Sequence, residues 1–185
     1  MAAGILLLLG HITNLGSDAE YGTVLGETLV LSAHALLVFA LVALWAVQAE
    51  RSGTLGAVGM ALSVVGTTLN CAALLAEIAG ASGADVDPVV AEGVSGTIVL
   101  LGGLSFLIGL ILFGAATMRT GVLPRWAGSL LILGDVVFAV GTFAGSASLA
   151  VEVLGALITC AAFVWLGLAL LTTGDAPLGR TARVN

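Results

Sequence analysis

Long stretches without a single charge constrain this chain more than any other feature. Residues 28–49, 52–76, 93–118 and 153–174 contain no Asp, Glu, Lys or Arg. Each reaches or exceeds the ~20 residues an α-helix needs to cross the hydrocarbon core of a bilayer. A fifth stretch, 126–151, is broken only by Asp135. A water-soluble fold needs polar residues to cover its surface. Here 59% of residues are hydrophobic and 9% charged, against roughly 45–50% and 25% in soluble domains. A membrane β-barrel would alternate polar and apolar residues and would need more strands than the chain can supply. The reading is an all-α, polytopic transmembrane helix bundle, a single domain over residues 1–185, in contact with the lipid bilayer of the cell membrane.

The spans read from the pattern are 2–15, 25–48, 54–79, 90–117, 125–145 and 149–173. Pro88 precedes the fourth, Pro124 opens the fifth and Pro177 follows the sixth. Proline is tolerated at helix starts and beyond helix ends and is costly inside them. The first span is short, ~21 Å at a helical rise of 1.5 Å per residue. It is expected to be a genuine span, thin or truncated at its N-terminus. A cleaved signal peptide would show a basic residue before it and a clean small-residue site after it.

Orientation follows from the arginines. Arg51 lies between spans two and three, Arg119 and Arg125 between four and five, and Arg180 and Arg183 after six. Six spans put all five on one side, and basic residues are retained in the cytoplasm. The expected topology is therefore N-in and C-in. Asp18, Glu20, Asp85 and Asp87 fall in the opposite loops. Trp45 and Trp126 fall at the inner boundary, where indole favours the headgroup layer.

Whole function classes drop out on composition. The formal net charge of −6 argues against nucleic acid, which needs clustered basic residues. Lysine is absent, so no retinal Schiff base forms. Cys71 and Cys160 lie in apolar stretches without a metal-binding spacing and read as packing residues. No cofactor or metal motif is present, and the reading leans away from an enzyme.

Two internal patterns remain. Arg51-Ser52-Gly53-Thr54-Leu55 matches Arg119-Thr120-Gly121-Val122-Leu123, and Gly66 matches Gly134 at the same offset. Spans two–three and four–five are thus candidate duplicated hairpins. Gly56, Gly59, Ser63 and Gly66 share one face of span three, and Gly134 and Gly141 one face of span five. Small residues at such spacings let helix backbones approach in lipid. They serve packing within the chain, a homo-oligomer or a membrane-protein partner.

The pair Ala33-His34, the loop 48–53 and the segment Thr120-Gly121-Val122-Leu123-Pro124-Arg125-Trp126 resemble a domain-of-unknown-function family of small bacterial and archaeal membrane proteins. These proteins carry an early AH pair and an LPRW turn before a late helix. The resemblance covers spans two to five. It implies a six-helix membrane protein and carries over no activity and no site residue.

The candidate functional residues are the polar groups inside the spans, since burying an ionisable group in lipid is costly. His34, Asn70 and Asp135 lie ~12, ~14 and ~15 Å from the outer helix ends, forming an expected polar layer. Asp135 is expected to face the interior with His34 or Asn70 as its partner. Above the layer, Glu27, Glu77, Glu92 and Glu152 form an expected acidic funnel, and His11 and Asn14 lie near the outer end of span one. Three functions are open to such a chain. The first is a structural or accessory protein acting through helix contacts. The second is a small cation or proton pathway through the polar layer. The third is an intramembrane metal-dependent enzyme, for which no HExxH pair or GxSxG turn is present.

Overall fold

The computed structural model describes residues 1–17 and 20–174. Asp18, Pro177, Arg180 and Arg183 lie outside the described residues. Within them the chain is helical and contains no strand. Its elements are α1 (Ala2–Asn14), α2 (Val24–Ala81), a short α3 (Asp87–Val90), α4 (Gly93–Thr120), α5 (Arg125–Gly141), a single 3-10 turn (Gly145–Ala147) and α6 (Ser148–Gly174). α2, α4 and α6 are long and apolar enough to cross a membrane.

α2 is not one rod. Gly53 sits at φ 55°, ψ −154°, outside helical space, in a region open to glycine alone. His34 and Thr67 would be ~50 Å apart along a straight helix. Instead the Thr67 hydroxyl donates to the His34 carbonyl at 3.5 Å. The chain therefore folds back at Gly53, and residues 24–52 and 54–81 form an antiparallel hairpin. The loop expected over 49–53 shrinks to one glycine. At the matching position of the second hairpin, Gly121 also has positive φ, 62°, and ends α4.

Other boundaries shift for local reasons. The fourth span was expected from residue 90, but Pro88 opens the four-residue α3 and α4 begins at Gly93. The fifth was expected to reach 145. It stops at Gly141, and the 3-10 turn hands the chain to α6.

Close backbone contacts hold the segments in alternating directions. A Cβ on Gly66 would lie 2.6 Å from the Phe106 Cα, and one on Gly59 would lie 3.0 Å from the Phe113 Cα. The backbone of Ser63 presses on Gly109 in the same way. Residue numbers rise in α2 as they fall in α4, so the second arm of α2 runs antiparallel to α4. Gly134 faces Thr159 and Gly155, and Gly141 faces Glu152, which aligns α5 antiparallel to α6. Gly56 has the Ala116 methyl at 3.5 Å. Gly10 meets α2 at Gly26 and Val30, and Gly167 meets Met1. The small-residue faces are therefore occupied by helices of the same chain.

The first arm of α2 runs through the centre. Leu37, Leu41 and Leu44 recur at the three- and four-residue steps of one helical face. With Leu110, Phe113, Leu131, Phe163 and Leu166 they form one solvent-free cluster. Outside, the surface is apolar: Phe143 is 88% exposed and Phe39 73%. In water so broad an apolar exterior would drive association, whereas acyl chains solvate it.

Candidate functional site

The polar interior is built from the loop between α1 and α2 inward. α1 ends at Asn14, which is buried, and its side chain ties three groups together. The Asn14 Oδ1 accepts from the Thr23 N–H at 2.8 Å and from the Thr23 hydroxyl at 2.9 Å. Thr23 caps α2 by accepting from the Gly26 N–H at 3.0 Å, a role its hydroxyl and extended backbone suit. The Asn14 Nδ2 then donates to the Glu27 Oε1 at 2.6 Å. A carboxyl in the first turn of α2 also meets the positive end of the helix dipole. Gly22 roofs this pair with φ 69°. A Cβ there would lie 2.7 Å from the Glu27 Oε1 and 2.8 Å from the Asn14 Cγ, so both backbone and space demand glycine.

Glu27 does not stand alone. Glu77, at the far end of the second arm of α2, lies within electrostatic reach of it, as does Glu152 of α6. The Ser148 hydroxyl donates to the Glu152 Oε1 at 2.9 Å. Three carboxyl groups from three helical segments thus lie at one end of the bundle within electrostatic reach of one another, without forming a tight cluster. Glu92 stands apart, exposed at the start of α4. No contact joins it to the other three among the described residues.

One layer deeper, His11 lies within electrostatic reach of His34. His11 packs edge-on to Phe138, with ring centroids 4.9 Å apart and planes at 63°. The His34 ring tilts against Phe106 at 5.5 Å, and its Nδ1 pairs with the Val30 carbonyl at 3.0 Å. Asn70 is half-buried, with its Oδ1 against Gly102.

Asp135 is 7% exposed and faces the interior, on the helix face that carries Phe138 one turn above and the core residue Leu131 one turn below. Its Oδ2 is fully buried and finds no hydrogen-bond partner. No hydrogen bond joins Asp135 to His34 or Asn70, the expected partners, among the described residues, and the His34 Nδ1 pairs with the Val30 carbonyl of its own helix. His34, Asn70 and Asp135 form no common hydrogen-bond network among the described residues.

No protein-family model, curated protein or solved structure matches the chain.

At the opposite end of the bundle a second polar cluster appears. Gln48, 1% exposed, donates from Nε2 to the Thr117 hydroxyl at 3.2 Å and accepts at Oε1 from the Thr120 hydroxyl at 3.3 Å. Sequence reading passed over it, since a Gln at a span end looks like an exposed boundary residue. Its signal is the apolar Leu37–Leu41–Leu44 face, which Gln48 extends by one further turn. The Leu–Phe core separates the two clusters. Among the described residues no three His, Cys, Asp or Glu side chains are arranged to hold a metal ion.

The loops that carry Tyr21 and Asp87 are also tied. The Tyr21 hydroxyl donates to the Asp87 carboxylate, and the Tyr21 ring covers Gly80 beside Val86. That hydrogen bond, with smaller contributions from desolvation and neighbouring acids, pushes the phenol from 10.0 up to about 12. A raised phenol pKa means the tie is intact below pH 10 and lost as pH rises through about 12. Tyr21 is the chain's one tyrosine, so phenolate absorbance reads it directly. The midpoint is expected near 12 in the parent, falling toward 10 in Asp87→Asn. Equal midpoints in the two proteins would mean the loops are not tied.

Proposed function

We propose that the chain is a six-span protein of the cell membrane, both termini cytoplasmic, whose outer half holds a proton-exchanging site open to the outside. Six alternating helical segments and the one-sided arginines Arg51, Arg119 and Arg125 support the topology. Membership of the small six-helix family suggested by the LPRW turn belongs to the same proposal. α1 and α5 are short, with 13 and 17 residues, and cross by local thinning and tilted neighbours.

The observation that carries the functional reading is the proximity of Glu27, Glu77 and Glu152 with no basic side chain beside them among the described residues. Carboxyl groups held within reach of one another without counter-charge readily exchange protons. His11 and His34 continue the polar path inward, and the unpartnered Asp135 lies at its deep end. The leucine–phenylalanine core then blocks it, so passage across the membrane requires a second conformation. This favours the ion-pathway reading over a purely structural role, because the small-residue faces already serve the chain's own helices.

Orientation is tested with a membrane-impermeant thiol reagent on intact cells, using single cysteines in a background lacking Cys71 and Cys160. Thr54 and Ser82 are both exposed, whereas Ser52 is buried. Ser82→Cys is expected to label and Thr54→Cys to stay protected. The reverse pattern overturns the topology. The site itself is tested by stepping the external pH and reading carboxyl protonation. The response is expected to vanish when Glu27→Gln and Glu77→Gln are combined.

A further inference from the structure

We propose that the arginine end of the bundle carries a separate binding site for a phosphate-bearing anion. The two matching turns, Arg51-Ser52-Gly53 and Arg119-Thr120-Gly121, each place an arginine two residues before a glycine of positive φ. The fold brings these turns side by side. A cleft of about 380 Å³ between them is lined by Arg51, Ser52, Thr54, Arg119 and Thr120. This volume falls within the ~300–1,000 Å³ of small-molecule sites. No carboxylate lines it.

Both guanidinium groups are uncommitted. Neither makes an ion pair or hydrogen bond among the described residues. Arg125, by contrast, donates from Nε to the Met118 carbonyl at 3.0 Å. Two cations sharing one cleft repel each other, and an anion between them removes that repulsion. A planar guanidinium fork matches two phosphate oxygens at once, and the Thr54 hydroxyl, the lining hydroxyl not already donating to the protein, is placed to donate to a third. A carboxylate offers two oxygens and would leave one arginine unmatched. Thr120 is itself held by Gln48, so the cleft wall is anchored to the buried polar cluster at this end. The phosphate comes either from an anionic lipid headgroup of the adjacent leaflet or from a soluble phosphate.

The test uses purified protein and two probes. Phosphatidic acid, whose phosphomonoester has three terminal oxygens, is titrated against phosphatidylcholine, with bound lipid counted by native mass spectrometry. Inorganic phosphate is titrated separately, with thermal unfolding as readout. Arg51→Gln and Arg119→Gln are each expected to weaken binding about tenfold or more, the loss of one charge-assisted hydrogen bond. Arg125→Gln is expected to stay within about twofold, as its guanidinium is engaged elsewhere. Thr54→Val keeps both charges and is expected to cost a few-fold, which covers the case in which an arginine variant fails to fold. Preference for the lipid identifies a headgroup site, and protection by inorganic phosphate alone identifies a soluble ligand. Binding of neither probe overturns the proposal. So does an Arg125→Gln loss equal to that of Arg51→Gln and Arg119→Gln, because the attraction is then unspecific charge.

Discussion

Gly66→Leu and Gly134→Leu are each expected to lower the detergent melting temperature by more than any substitution on the lipid-facing surface. At Gly66 a Cβ would already lie 2.6 Å from the Phe106 Cα and 2.8 Å from the Gly102 carbonyl oxygen. At Gly134 it would lie 2.7 Å from the Thr159 N. These neighbours are backbone atoms and cannot rotate away, so whole helices must separate. Overpacking in a well-filled core costs ~1–3 kcal/mol, and backbone collisions sit at the upper end. Gly103 is the matched control, since a side chain there meets nothing within 4 Å. Gly103→Leu is expected to melt with the parent. If all three variants melt alike, the α2–α4 and α5–α6 contacts are not as close as described.

The second large effect runs the other way. Asp135→Val is expected to raise stability by ~1–3 kcal/mol while impairing the proton response of the proposed carboxyl site. A buried carboxyl oxygen without a partner carries its desolvation cost uncompensated. Replacing a buried polar group by an apolar one of similar size is often neutral or stabilising. A residue that weakens the fold and stays buried is the mark of a site kept for chemistry. Thermal unfolding of Asp135→Val beside Asp135→Asn checks this. A Val variant that melts well below the parent would mean that Asp135 holds helices together.

Much of the fold was legible in the sequence, and much of the site was not, for one physical reason. Charge-free length and proline positions mark where helices start and stop along the chain. Depth then follows from a rise of ~1.5 Å per residue, which is why His34, Asn70 and Asp135 could be assigned a common level. Rotation about each helix axis is set by side-chain contacts between helices, and in spans this rich in Gly, Ala and Leu nearly every face is apolar. So Glu27, Glu77 and Glu152 lie within electrostatic reach of one another while Glu92, of similar depth, faces solvent. The link from Asn14 to Glu27 depends on how the 15–23 loop turns, which Gly22 decides through its backbone. The fold-back at Gly53 was readable as a boundary, but its tightness was not, since nothing in an Arg-Ser-Gly-Thr run distinguishes a one-residue turn from a longer loop.

The outward-facing character of the carboxyl site is the central claim, and infrared difference spectroscopy on right-side-out vesicles tests it most directly. The external pH is stepped while the internal pH is clamped, and the carboxyl C=O stretch is followed in the parent and in the Glu27→Gln, Glu77→Gln double variant. The parent is expected to change its carboxyl band with each external step, with a component missing from the double variant, and to ignore internal steps at that component. Identical spectra from parent and double variant, or a Glu27–Glu77 component that follows the internal pH alone, would contradict a site open to the outside.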